Sequence, residues 1–336
     1  MHMKNLFYYV SDFFTNYLGR ETGLSINTVR SYRDTFVLLI QFMETDQHIN
    51  TKKLDINHLS QDCVLSFLEW LETERRCGVS TRNQRLAAIK AFCRYLIRKD
   101  PALGNFCQQI LNIRAKKTAQ ADVAYLTTDA IALLLRQPDM RCVHGTRDVA
   151  MLSTLYETGC RVQELIDLRI GDISFRAPNT ITLHGKGRKV RTVPISQNVA
   201  ALLARYLKNK HRSSPEQILF ANRADKPFSR SGVSYVLNKY AQIARRERPE
   251  LYPSSLHPHV LRHSKAMHLL ECGVNLIYIR DFLGHSSVTT TEIYAKCNPE
   301  LKRKYIEMAG IALECEVSYY DESEKDALIN WLRENI

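Results

Sequence analysis

Four separated segments of the sequence combine arginine, lysine, histidine and tyrosine in ways that could act on an anionic centre. The first is Thr158-Gly159-Cys160-Arg161-Val162-Gln163-Glu164-Leu165, where a glycine leads into an arginine with a glutamate three residues later. The second is Gly185-Lys186-Gly187-Arg188-Lys189-Val190-Arg191, a glycine-flanked lysine followed by three more bases. The third is His257-Pro258-His259-Val260-Leu261-Arg262-His263. The fourth is Leu283-Gly284-His285, followed after a threonine-rich stretch by Glu292-Ile293-Tyr294. Arginine forks hold anionic oxygens in pairs, lysine and histidine move protons, and a tyrosine hydroxyl can serve as a nucleophile.

Each segment taken singly also has a plain structural reading. Arg161 and Glu164, three residues apart, could be a surface ion pair. Gly185-Lys186-Gly187 could be only a hairpin turn, and it is no P-loop, because Gly-x-x-x-x-Gly-Lys-Ser/Thr is absent. His259 and His263 are spaced to share a zinc ion, but the zincin pattern needs glutamate where Val260 stands, so no metal site is expected. Lys189 and Arg191 rival Lys186 as a proton donor, and Tyr305, Tyr319 and Tyr320 rival Tyr294 as a nucleophile.

The elements around these segments are mostly helices. Leu6, Phe7, Val10, Phe13, Phe14, Tyr17 and Leu18 recur at helical spacing. Asn27 precedes a second helical run over residues 28–43, with Arg30 and Arg33 off its apolar stripe. A third helix is predicted from Ser60 to near Gly78, and Ser80 can cap a fourth over residues 81–97. That fourth helix carries Arg82, Arg85, Lys90, Arg94 and Arg98 on its other faces and no acid, which suits a phosphate-facing surface. Residues 1–112 thus read as a small helical domain for gripping DNA, and residues 113–124 as an exposed linker.

Beyond the linker, helices are predicted over residues 128–136 and 145–158. The pattern then switches to period two: Ile170, Ile173 and Phe175 suggest one strand, and Ile181, Leu183, Val193 and Ile195 a hairpin. Helices return from Asn198. The fold expected is mainly α, with a mostly helical second domain over residues 125–313 built around a small antiparallel sheet.

Charge points to the same partner. Lys and Arg number 47 against 35 Asp and Glu, a net charge of +12, which favours a polyanion such as nucleic acid. Residues 314–336 hold seven acids and two bases, so this tail carries −5 and the body before it +17. Leu328, Trp331, Leu332 and Ile336 form an apolar stripe on a short helix there, which could pack on its own domain, dock in trans or inhibit the enzyme. The composition, 45% hydrophobic and 24% charged, is that of a folded protein. Nine cysteines stand singly with no Cys-x-x-Cys, which excludes a zinc ribbon and suits free thiols in a reducing compartment. The first residues lack the apolar run of a secretory signal. No stretch approaches the ~18 consecutive apolar residues that span a bilayer, so no membrane association and a cytoplasmic site are expected.

In their order and spacing the four segments resemble the tyrosine recombinases, the phage-integrase and Xer-type family. The resemblance runs from the helical N-terminal part to about Ala312 and is strongest where His-x-x-Arg-His, Leu-Gly-His and the final tyrosine match in spacing. It implies that Arg161, Lys186, His259, Arg262, His285 and Tyr294 form the catalytic set, with Glu164 bracing Arg161. It selects Lys186, between its two glycines, over Lys189 and Arg191, and Tyr294 over the later tyrosines. It also implies a SAM-like N-terminal domain, a C-shaped clamp on duplex DNA, and a nucleoid-associated homotetramer on two short inverted sites. Residues 299–312 would supply the helix that docks on a neighbouring protomer. Arg30, Arg33, Arg82, Arg85, Lys90, Arg94, Arg188, Lys189 and Arg191 are the expected DNA contacts.

The chemistry asks for the same residue types. Cutting a phosphodiester without hydrolysis needs a nucleophile that stores the bond as a covalent ester. A phenol with pKa near 10 needs about 4 kcal/mol to reach its phenolate at pH 7. Arg161 and Arg262 can hold the non-bridging oxygens, where losing one such donor slows reactions roughly a hundred- to a thousand-fold. Lys186 can protonate the departing 5′ oxygen, His259 can face the same phosphate, and His285 is expected to donate to it from a helix N-terminus. No motif for a metal, ATP or nicotinamide is evident, so no cofactor is expected. Two rivals remain: a type IB topoisomerase, which rejoins the original strand, and an inactive DNA-binding regulator. With no further domain before residue 1, a compact Xer-like machine is favoured, as a mobile-element integrase, a transposase or a resolvase.

Overall fold

The computed structural model describes residues 5–50, 54–118, 124–185, 189–209, 214–222, 224–253, 255–285 and 322–335. The chain forms two compact units, Met1–Ala121 and Asp122–Ile336.

The first unit is helical. Helix α1 (Leu6–Asp12) starts at Asn5, whose side chain accepts the Phe7 N–H, and continues as a wider π-helix over Phe13–Glu21. Apolar spacing alone does not distinguish the two windings. Helix α2 (Ile26–Thr45) is capped by Ser25, not by Asn27, which lies inside it; the Ser25 hydroxyl takes the Thr28 N–H. Helix α3 (Gln61–Thr73) begins at Ser60 as expected but ends well before Gly78. Arg76 there adopts left-handed backbone (φ 48°), and the Cys77 N–H turns back to the Leu71 carbonyl. Helix α4 (Val79–Lys99) starts at Gly78, so Ser80 lies within it rather than capping it; α5 (Gly104–Asn112) follows. Aromatic rings fill the centre, with Phe92 packed 5.2 Å from Phe13 and 5.0 Å from Phe36 between ring centres.

Three bases expected on the outer faces of α4 face inward instead. Arg82 is buried, 3.7 Å from Glu72. Arg85 reaches across to α2, donating to the Ser31 carbonyl and the Thr35 hydroxyl. Lys90 donates to the carbonyls of Leu111 and Ile113, satisfying the end of α5. A long basic side chain on a helix flank can bury its stem against a neighbouring helix, so sequence position alone does not expose its charge. Arg30, Arg33, Arg94 and Arg98 are exposed. The segment after α5 is also tied down: the Lys116 N–H and carbonyl both bond the Asn83 side chain.

The second unit opens with α6 (Thr128–Arg136) and α7 (Val143–Thr158), then the short α8 (Val162–Asp167). Three antiparallel strands follow in sequence order: β1 (Ile173–Ser174), β2 (Thr180–His184) and β3 (Val190–Pro194). The first is shorter than expected. Ile170 lies in a 3-10 turn (Ile170–Asp172), where the Asp172 carboxylate takes the Arg169 N–H, and Phe175 is exposed. In the hairpin Ile181 pairs with Val193 and Leu183 with Arg191. Helices α9 (Gln197–Asn209), α10 (Arg230–Glu247), α11 (Pro258–Glu271) and α12 (Leu276–Leu283) complete this part.

Leu152, Leu165, Leu183, Leu203, Phe220 and Leu261 share one core, while Met267, Ile279 and Leu283 seal α12 onto α11. An ion pair between Arg147 and Asp148 is buried on α7, and the Tyr240 hydroxyl donates to Asp148 from α10. The tail contains a helix, α13 (Glu322–Asn335), on which Leu328, Trp331 and Leu332 are exposed. Among the described residues no helix is long and apolar enough to cross a membrane.

Candidate active site

Arg161 owes its place to the end of α7. Gly159 takes the left-handed conformation (φ 54°) that stops the helix, and two residues later Arg161 becomes the N-cap of α8. Glu164, in the first turn of α8, folds back on it: one carboxylate oxygen accepts the Arg161 N–H at 2.9 Å and the other the Arg161 guanidinium at 2.9 Å. The pair is no surface ion pair, because Glu164 is buried.

Arg191 meets the same carboxylate from β3. Its two terminal nitrogens lie 3.1 and 2.7 Å from the two oxygens of Glu164, and its side chain is 13% exposed. Arg191, expected from the sequence as a DNA contact, thus engages its fork on Glu164. The signal was in the sequence: residues two apart share a strand face, and Arg191 stands two before the inward Val193. The neighbouring Lys189 is exposed, and its carbonyl takes the Gly185 N–H at 2.7 Å to close the base of the hairpin. Lys186 and Arg188 lie outside the described residues.

Pro258 opens α11 and places His259, Arg262 and His263 on its first two turns. Arg262 is buried and donates to the carbonyls of Gly159 at 2.6 Å and Leu283 at 2.7 Å. Helix α12 ends on Gly284 in the left-handed conformation (φ 66°). The amides of Gly284 and His285 satisfy the carbonyls of Asp281 and Arg280. The next three carbonyls each go to a different arginine: Phe282 to Arg191, Leu283 to Arg262 and Gly284 to Arg161. The negative end of a helix dipole therefore receives three guanidinium groups. His285 follows this helix C-terminus, so the described structure does not put it at a helix N-terminus; the residues beyond it, with Tyr294, lie outside the described residues.

The histidines respond to this positive surrounding. Burial, then Arg262, Arg161, His263 and Arg191, push His285 down to about 4. Burial, then His259 and Arg262, push His263 to about 4. His259 is lowered by burial and by Arg262, His257 and Arg161. Glu164 goes the other way from its burial: desolvation would raise it, but hydrogen bonds from Arg191 and Arg161 hold it below the usual carboxylate value. His263, weighed in the sequence only as a metal ligand, thus belongs to the same electrostatic cluster. Among the described residues no group of three or more His, Cys, Asp or Glu could hold a metal ion. A cleft of about 440 Å³ opens on Arg161, Gly185, Lys189, Arg191, Gly284 and His285. Arg161, 35% exposed, is the fork open to it.

A buried carboxylate and three histidines around three arginines would suit any anionic oxygen, so the wider pattern decides. Residues 124–300 match the model of the phage integrase family, and residues 12–100 match the N-terminal SAM-like domain of phage integrases. The chain belongs to the phage integrase family. A Sinorhizobium fredii protein named as an integrase/recombinase is 34% identical over 293 residues, covering 87% of this chain and 88% of the relative. Tyrosine recombinase XerC of Roseiflexus sp. is 32% identical over 292 residues, covering 85% and 88%. The fold is that of the Tn1549 transposon integrase in complex with a circular intermediate DNA, with a TM-score of 0.68 at 17% identity over 89% of this chain and 99% of that one. This phage integrase family member is a site-specific tyrosine recombinase, an enzyme that cuts and rejoins DNA strands.

Proposed function

We propose that Tyr294 attacks the scissile phosphate while Arg161, Arg262, His259 and His285 hold it, and that Lys186 protonates the leaving strand. The observation that carries this reading is the meeting of Arg161 and Arg262, 101 residues apart, on adjacent carbonyls at the end of α12, directly before His285. A guanidinium open to the cleft, with a second fixed on the adjacent carbonyl, favours the extra charge on a pentavalent phosphorus. The tyrosine oxygen forms a bond to phosphorus, the bond to the 5′ oxygen breaks, and that oxygen leaves as a hydroxyl with the Lys186 proton. The product is a 3′-phosphotyrosine, which the 5′-hydroxyl of a partner duplex attacks in the reverse chemistry, through a Holliday junction. Glu164 braces Arg161. A histidine whose proton affinity is lowered by burial and by nearby arginines, as that of His259 is, is suited to accept the phenol proton.

The helical part, residues 1–112, would grip one face of the DNA through exposed bases such as Arg30, Arg33 and Arg94. Residues 125–313 would carry the chemistry, with 113–124 between them. A homotetramer on two short inverted sites, in the cytoplasm with the nucleoid, would exchange strands in pairs as an integrase, transposase or resolvase. The exposed apolar residues of α13 suit docking on another protomer better than packing within the same domain.

The test is covalent trapping on a nicked suicide duplex, using DNA first recovered by sequencing what the protein captures in its host. Wild type should give a denaturant-stable adduct with a free 5′-hydroxyl, and Tyr294→Phe should give none. An adduct formed by Tyr294→Phe, or a 5′-phosphate product, would overturn the assignment. Strand exchange that needs two sites separates recombination from relaxation by a type IB topoisomerase.

A further inference from the structure

We infer that Arg191 is a positioning residue of the strand-cleavage reaction, holding Glu164, and through it Arg161, against the end of α12. The inference rests on the proposed role of Arg161 at the phosphate.

Arg191 ties three elements together. Its fork holds both oxygens of Glu164 on α8, its Nε donates to the Phe282 carbonyl of α12 at 2.9 Å, and its own backbone lies in β3. The Glu164 carboxylate thus accepts from Arg191 twice and from Arg161 twice, through its amide and its guanidinium. A carboxylate with one partner rotates; one saturated from two directions does not, and it fixes the Arg161 fork that opens to the cleft.

Electrostatics requires the same arrangement. Three guanidinium groups crowded at one helix end repel each other, and in the partly buried site that repulsion is weakly screened. Glu164 and the carbonyls at the end of α12 offset that repulsion. Arg191 also occupies the space beside Gly284, where a Cβ would lie 2.9 Å from its Nη1. It therefore forms part of the wall behind the residue that leads into His285. A guanidinium so engaged is poorly placed to neutralise a DNA phosphate as well.

The experiment compares full-length wild type, Arg191→Lys and Arg191→Ala on the nicked duplex of captured sequence. The readouts are the first-order rate of adduct formation at saturating DNA, DNA affinity at two salt concentrations, and the thermal midpoint. Misplacement of a catalytic group by about 1 Å slows reactions roughly a hundred-fold, and both variants should slow adduct formation on that scale while affinity and its salt dependence stay unchanged. Added guanidinium ion should raise the rate of Arg191→Ala and leave Arg191→Lys unmoved, because the lysine chain occupies the space. Wild-type cleavage by either variant would overturn the inference. So would weaker binding with a shallower salt dependence, which marks a lost phosphate contact. Should Arg191→Ala not fold, the rate of Arg191→Lys decides by the same criterion. Failure of wild type itself to form an adduct would sink the proposed function, a result distinct from an active wild type with equally active variants.

Discussion

Arg262 donates to the carbonyl of Gly159 at 2.6 Å across 103 residues of sequence. The bond joins α11 to the turn between α7 and α8, and so fixes one proposed phosphate ligand against the turn that presents the other. A buried cation is tolerable only where its N–H groups meet acceptors, and here backbone carbonyls supply them.

Gly159→Ala tests that turn. The backbone there is left-handed (φ 54°), and a Cβ would come within 2.9 Å of the Leu283 side chain. A loss of about 2 kcal/mol is expected in denaturant unfolding, together with slower adduct formation. Gly104→Ala, where an added Cβ meets nothing within 4 Å, should cost nothing measurable.

Glu164→Gln leaves the shape and removes the charge between Arg161 and Arg191. Breaking a buried pair costs about 3 kcal/mol, to be read from the denaturation midpoint at pH 7. The carboxyl is held below its usual value when folded. Its contribution is therefore complete above the unfolded value of ~4.3 and is lost as pH falls further, through the folded value. The difference between wild type and Glu164→Gln should shrink only below that pH, and a gap that closes already at pH 6 would contradict the assignment.

His263 and His285 sit near 4 in the folded protein and near ~6.5 unfolded. Between those values the unfolded chain binds more protons, so stability falls as pH drops through this window, and the loss is complete below about 4. Thermal midpoints from pH 7 to 4 should fall less steeply for His263→Asn and His285→Gln than for wild type. NMR titration of either imidazole with a midpoint above 6 would exclude the electrostatic cluster described above.

Lys186 and Lys189 are separable by the leaving group. An alcohol leaves with a proton, while a thiol is acidic enough to leave as the anion. Lys186→Ala should slow cleavage of the ordinary phosphodiester roughly a hundred-fold or more, and a 5′-bridging sulfur should restore it. Lys189→Ala, at an exposed position outside the hairpin tip, should show no such sulfur rescue.

Truncation after Val317 should leave the thermal midpoint of the remaining chain unchanged, because Leu328 and Leu332 are 56% and 42% exposed on α13. A drop of several degrees would show that the helix supports its own domain.

The sequence by itself determined the helical character of both units, the hairpin, and the four polar segments in their order. Those are local properties: period and spacing state which residues share a face, and the left-handed Gly159 and Gly284 stand where the helical runs stop. Cap positions were less legible. Ser25 and Gly78, not Asn27 and Ser80, open α2 and α4, because several residues near a helix start can satisfy the same amides.

Only the tertiary structure decided which charges face inward. Arg82 and Lys90 read as DNA-facing and turned to Glu72 and the end of α5. Arg191 read as one base among four on a hairpin and became the second partner of Glu164. That a single helix end would gather Arg161, Arg191 and Arg262 was not written in any one segment. The carbonyls of α12 and the three guanidinium groups lie far apart in the chain, and only the packing of α8, β3 and α11 around α12 brings them within hydrogen-bond reach.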